Sequence, residues 1–179
     1  KEQSNNLNKI IDNGFKIIPK IDFIFLDDIV LVIIPLIFLI CIYFCTKNNI
    51  NFLDFVVIFF IIRFIRLLCL MCTIYTPPTK NCYEISDKKN KILPYYNYIF
   101  GGCNETIFSG HTAFLVLIML FIYPILNIFG KFFIILYAIF GSIMLISLRS
   151  HYTIDVFLGW IITYFVYKVY NCCQIKSIL

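Results

Sequence analysis

The sequence reads as an all-α membrane protein, a polytopic helical bundle with five spanning helices visible of an expected six. Of its 179 residues 61% are hydrophobic, the mean hydropathy is +0.89, and the apolar residues gather into five long runs. A soluble domain is about half apolar, so lipid is the solvent this chain needs. Phe (20) and Tyr (12) far outnumber Gly (7), which puts the apolar mass in bulky side chains suited to helices facing hydrocarbon.

A spanning helix needs about 20 apolar residues, with a floor of about 17. The first run, residues 29–46, is bounded by Asp27-Asp28 and Lys47; the second, 52–73, contains Arg63 and Arg66. The third covers 110–129, the fourth 132–148 after an expected hairpin at Gly130-Lys131, and the fifth 152–170 after a turn at Arg149-Ser150. Pro35 and Pro124 fall inside two runs, where a membrane helix accommodates a kink. The one long connection, residues 74–109, opens on Thr76-Pro77-Pro78 and reads as an active-site loop, because loops of that length between packed helices are usually functional. The whole chain, 1–179, reads as a single transmembrane catalytic domain. Since position 1 is Lys, a trimmed or processed product is expected, with no signal-peptide pattern in the polar first 21 residues.

The net charge of +5 is spread between the apolar runs in no block longer than Lys88-Lys89. It therefore suits helix flanks and anionic headgroups, and nucleic acid is not an expected partner. Of eight cysteines, Cys41, Cys45, Cys69 and Cys72 lie inside apolar runs and read as small buried hydrophobes; Cys82, Cys103, Cys172 and Cys173 lie outside them.

Each crossing moves the chain to the opposite face, so the N-terminal segment, the 74–109 loop and the Arg149-Ser150 turn share one side of the bilayer. That side carries nine Lys/Arg against four on the other, Arg63 and Arg66 set aside, which by the positive-inside rule makes it cytoplasmic. The same parity puts the only two histidines, His111 and His151, on one face at the starts of the third and fifth helices. A helix N-terminus offers free N–H groups and positive potential, which suits a phosphate. Ser109 is a candidate N-cap, and Gly110 lets a ligand approach the backbone.

His151 and Asp155, spaced i, i+4, share a face if both are helical, so the carboxylate can fix the tautomer of the ring and free its other nitrogen as nucleophile or base. His111 is then available as the second proton carrier. Arginine within a spanning segment costs about 2.5–3.5 kcal/mol, so Arg66, which lies nearer the histidine face than Arg63, is a candidate phosphate contact, with pairing to Asp54 or snorkelling as the alternatives. Arg149 is a second candidate clamp. No metal-ligand spacing accompanies the histidines, and no cofactor is expected; arginines and helix dipoles are left to stabilise charge.

At these residues the chain resembles the sphingomyelin synthase family, a branch of the type 2 phosphatidic acid phosphatase superfamily. The family pattern Cys-Gly-Asp, three residues, Ser-Gly-His-Thr is approached by Cys103-Asn104-Glu105 and Ser109-Gly110-His111-Thr112. His-Tyr-Thr/Ser-x-Asp-Val is matched by His151-Tyr152-Thr153-Ile154-Asp155-Val156. Arg66, Thr73, Pro77, Pro78 and Asn81-Cys82 resemble a segment upstream, and the likeness runs over about residues 17–170, with a first helix of the family's six lying before it.

The resemblance implies a catalytic triad of His111, His151 and Asp155. It implies transfer of phosphocholine from phosphatidylcholine to ceramide through a phosphohistidine on His151, giving sphingomyelin and diacylglycerol, with Glu105 supporting. Ceramide phosphoethanolamine synthase, inositol phosphorylceramide synthase and lipid phosphate phosphatase are the alternatives; a silent lipid-binding scaffold is a third class. Asn104, Glu105 and Ser150 depart from the pattern, and Ser150 replaces an acidic residue associated with headgroup choice. The family's site faces the lumen or exterior of Golgi, endoplasmic reticulum or plasma membrane, against the charge count, and there Cys82 and Cys103 can pair as a disulfide. Homo-oligomerisation is left open.

Overall fold

The computed structural model describes residues 11–21, 29–45, 51–72 and 108–178, and those residues form helices and turns with no strand among them. A single short turn, α1 (Gly14–Ile17), precedes a π-helical stretch, Ile29–Ile33, that runs into α2 (Ile34–Cys45). Then come α3 (Phe52–Cys72), α4 (Gly110–Ile122) with a 3₁₀ turn at Tyr123–Ile125, α5 (Ile128–Ser147) and α6 (Thr153–Ile178).

The π stretch has a local cause. Pro35 has no N–H to give to the carbonyl four residues back, so the turn before it widens, and the Tyr137 hydroxyl of α5 donates to the Val30 carbonyl.

Proline shapes the third run as well. The sequence reads 110–129 as one span, but the α-helix ends at Ile122 and tightens into the 3₁₀ turn that contains Pro124. The next helix begins early because the Asn127 side chain accepts from the Gly130 N–H, 2.8 Å, as an N-cap. Gly130 and Lys131, expected in the hairpin, are therefore helical.

α4 sits at the centre. Apolar almost all round, as a helix with no solvent face must be, it buries Leu115, Val116, Leu117 and Ile118 to 1% exposure or less. On one side it packs against Phe55, Ile58 and Ile62 of α3; on the other, with Leu31, it meets Ile134, Ala138 and Leu145 of α5. Its most extensive contact is with α6. Gly141 admits Leu115 and Leu31 side chains to within 2.6 Å of where a Cβ would stand, which draws α5 close. Cross-links hold the periphery: the Trp160 indole N–H donates to Ser142 Oγ, 2.8 Å, and the Tyr170 hydroxyl to Asp54, 2.9 Å.

The outside is apolar too. Phe60, Phe64, Phe129, Phe133, Phe157 and Phe165 are each more than 60% exposed, a density of outward-facing phenylalanine that water does not tolerate on a stable monomer. Two helices, Ile128–Ser147 and the Thr153–Cys173 part of α6, are long and apolar enough to cross a membrane. α3 has the length, 21 residues, but carries Asp54, Arg63 and Arg66. Among the cysteines, Cys41 and Cys72 are exposed on the bundle exterior instead of buried, and Cys69 is half-buried.

Residues 11–21 lie across the end of the bundle where α5 leaves and α6 begins. Asp12 Oδ2 accepts the Thr153 N–H, 2.6 Å, and its Oδ1 accepts the Thr153 hydroxyl and the Gly14 N–H, both at 2.7 Å. The Ile21 N–H reaches the Ser147 carbonyl, 3.0 Å. Burial pushes the Asp12 carboxyl upward, but the hydrogen bonds from Thr153, Gly14 and Phe15 outweigh it and hold Asp12 below its ordinary value. A depressed carboxylate stabilises the fold above its unfolded pKa, and that contribution is lost as pH falls through the folded value. The segment therefore stays docked at neutral pH and loosens below about pH 4. A nitroxide on Ile17→Cys, a position 83% exposed, in a background free of other cysteines, gains mobility across that window; with Asp12→Asn the acid transition disappears.

Candidate active site

The histidine face is assembled from two helix N-termini and one arginine-bearing helix. At the start of α4, Ser109 is the N-cap: its Oγ accepts the Thr112 N–H, 3.2 Å. Ser109, a candidate for phosphate binding as well as for the cap, is thus engaged in capping and fully buried. Gly110 is the first helical residue and His111 the second.

At the start of α6 the cap is different. Asp155 Oδ2 accepts the Tyr152 N–H, 3.1 Å, so a third-position carboxylate reaches back to the residue before the helix, as in one half of a capping box. His151 therefore lies in the turn ahead of α6, not on the helix with Asp155 as the spacing suggests. Asp155 is 1% exposed and His151 6%.

The two ends are joined directly. The Ser109 N–H donates to the Asp155 carbonyl, 3.0 Å, and one turn along α6, Gly159 fits against α4. A Cβ there would come within 3.0 Å of Thr112 Cβ and 3.2 Å of the Ser109 carbonyl oxygen. This crossing brings the His111 and His151 rings to 6.1 Å between centroids, tilted 60°. The gap suits one tetrahedral phosphoryl group with a ring nitrogen on each side, given reacting distances of about 3–3.5 Å.

Positive charge arrives from α3. Arg63 and Arg66, spaced i, i+3, lie on one face, and a Cβ on Gly110 would stand 3.0 Å from Arg66 Nη1 and 3.2 Å from Arg63 Nη1. Both guanidiniums thus flank the first turn of α4. Arg63 also lies over the Phe59 ring, 5.0 Å to its centroid. Sequence reasoning favoured Arg66 alone; the i, i+3 spacing was the signal for its neighbour. Asp54, an alternative partner for these arginines, accepts the Tyr170 hydroxyl, 2.9 Å.

Arg149 does something other than reach into this gap. Its backbone is left-handed, φ 57°, and its guanidinium donates to the carbonyls of Phe15, 2.8 Å, Ile18, 2.9 Å, and Ile146, 3.2 Å. Glu105, Cys82, Cys103 and all but the end of the 74–109 loop lie outside the described residues. Among the described residues no cluster of three or more His, Cys, Asp or Glu side chains is placed to hold a metal.

Residues 102–172 match the family model described as PAP2 superfamily C-terminal. The match takes in both histidine motifs and the helices between them. It supports the type 2 phosphatidic acid phosphatase superfamily, whose members carry out phosphoryl transfer or hydrolysis on lipids, and does not single out the sphingomyelin synthase branch. Together with the two apolar helices, it fits a membrane protein of lipid metabolism. No curated protein and no solved structure matches the chain.

Gly110 gives the site a direct test, because any side chain there displaces both guanidiniums. Gly110→Ala should weaken binding of inorganic phosphate or vanadate about tenfold, some 1.4 kcal/mol, and Gly110→Val more, read from ligand-induced shifts in melting temperature of the purified protein.

Proposed function

We propose that this protein moves a phosphate-linked headgroup from a phospholipid to a lipid hydroxyl through a phosphohistidine, in the manner of a sphingomyelin synthase. The observation that carries the reading is the approach of His111 and His151 to 6.1 Å, at converging helix N-termini beside two arginines. His151, with Asp155 orienting it, attacks the phosphorus of phosphatidylcholine; the P–O bond to diacylglycerol breaks, and His111 gives that oxygen its proton. His111, now neutral, takes the proton of the ceramide hydroxyl, whose oxygen attacks the phosphohistidine and releases His151 with sphingomyelin. Arg63, Arg66 and the N–H groups of α4 offset the charge that grows on the non-bridging oxygens.

Phosphoethanolamine or phosphoinositol as the transferred group uses the same residues. A hydrolase reading, with water in place of ceramide, is favoured by the family match alone, since that match embraces phosphatases. The proposal includes five spanning helices, a single catalytic domain, and a site facing the lumen or cell exterior of the Golgi, endoplasmic reticulum or plasma membrane. Its partners are the donor phospholipid, ceramide and diacylglycerol.

The test is to incubate purified protein in lipid with labelled ceramide and each candidate phospholipid. Labelled phosphosphingolipid is expected from the wild type, with His111→Ala slower by about 10²–10⁴-fold and His151→Ala giving none. Free headgroup phosphate formed without ceramide assigns the hydrolase; a wild-type protein that makes neither product refutes both readings.

A further inference from the structure

His151 stands in a short turn, and a turn is held in one geometry only by what surrounds it. The residues two before and two after it are gripped by a segment 131 to 141 residues away in sequence. On the N-terminal side, Arg149 adopts a left-handed backbone, φ 57°, which is uncommon for a residue other than glycine. Its guanidinium donates to the Phe15 and Ile18 carbonyls at 2.8 and 2.9 Å and lies over the Phe15 ring, 4.2 Å from the centroid. On the C-terminal side, Thr153 gives both its N–H and its hydroxyl to Asp12, 2.6 and 2.7 Å. Between these grips Phe15 stacks on Tyr152, centroids 5.6 Å apart and planes at 20°. Gly14 allows the close fit, for a Cβ on it would meet Thr153 Oγ1 at 2.0 Å.

We infer that residues 12–18 brace the turn carrying His151, with Asp12 and Arg149 as positioning residues that hold this imidazole opposite His111. The inference rests on the proposed role of His151. Asp12 closes the first turn of α6 from outside, where the chain itself offers Tyr152 in place of a Ser, Thr, Asn or Asp cap. Arg149 uses its donors on main-chain carbonyls, which fixes the backbone on which His151 hangs and leaves the phosphate to Arg63 and Arg66. The brace touches neither donor nor acceptor lipid, so loosening it acts on the rate of the chemical step and leaves binding alone.

The experiment uses the full chain in lipid and compares Asp12→Ala, Asp12→Asn, Arg149→Gly and the double variant D12A/R149G. A misplacement of about 1 Å at a reacting group costs about a hundredfold in rate, so Asp12→Ala is expected to lower kcat tenfold to a hundredfold with KM for phospholipid and ceramide unchanged. Asp12→Asn, whose side-chain oxygen still caps, restores most of the rate. Arg149→Gly relaxes the left-handed backbone but removes the grip, and lowers kcat likewise; the double variant is less than multiplicative, as for two parts of one brace. Hydrogen exchange over residues 149–156 is faster in Asp12→Ala and Arg149→Gly.

Wild-type kcat in Asp12→Ala overturns the inference, as does a loss that only follows the amount of folded protein and is not rescued by Asp12→Asn. A raised KM with intact kcat in Arg149→Gly also overturns it, by assigning that side chain to the headgroup. If the wild type acts on no lipid, the proposed function fails separately, and the brace still stands or falls on the exchange rates over residues 149–156.

Discussion

The site depends on one helix crossing. α4 and α6 approach so closely that a Cβ on Gly159 would press on Thr112 and the Ser109 carbonyl at 3.0–3.2 Å, and there the Ser109 N–H closes on the carbonyl of Asp155. Because that bond uses main-chain atoms at the first turn of each helix, it fixes the offset of one helix along the other. Everything reactive is referred to that offset: His111 follows Ser109 by two residues, and His151 is tied to Asp155 through the cap on Tyr152. A helix pair held only by side-chain packing has more freedom to slide, and a histidine pair mounted on it has no fixed separation.

Around this crossing the remaining elements act at different ranges. α3 brings cations into an apolar interior, where guanidiniums are expensive without an anion or a π face; Phe59 supplies one such face to Arg63. α5 ties to α6 through Trp160 and Ser142 and to the π stretch through Tyr137. The polar bonds at the lower end, Tyr170 with Asp54, keep α3 against α6 far from the histidines. The histidine face thus forms where three helices converge, two of them tied again at their far ends.

Much of this was legible in the sequence because it is written in local chemistry. Apolar run lengths marked the helices, and the order of those runs pointed to a common face for the two histidines, whose rings lie 6.1 Å apart. Ser109 announced its own cap. What was not legible involved contacts with no local signature. Nothing in the Asp12-Asn13-Gly14 stretch points to Thr153, and Arg149 looked like a phosphate clamp because its left-handed backbone and its carbonyl partners are tertiary facts. The i, i+4 spacing of His151 and Asp155 suggested a shared helix face, yet the carboxylate serves as the α6 cap and the ring precedes the helix. The Gly130-Lys131 hairpin was misplaced for a simpler reason: Asn127, three residues earlier, is the stronger helix starter.

The shortness of α4 carries a last consequence. At about 1.5 Å per α-residue and 2 Å per 3₁₀-residue, its 13 residues with the 3 of the 3₁₀ turn rise roughly 26 Å, whereas the 20 residues of α5 climb roughly 30 Å back from the same bend. α4 with its 3₁₀ turn is thus shorter than α5 by nearly one helical turn, and its N-cap, Ser109, meets α6 at the Asp155 carbonyl. The crossing is countersunk, with Ser109, Asp155 and His151 all buried. Under the proposed function a headgroup held there lies where water is scarcer and each guanidinium acts through a lower dielectric.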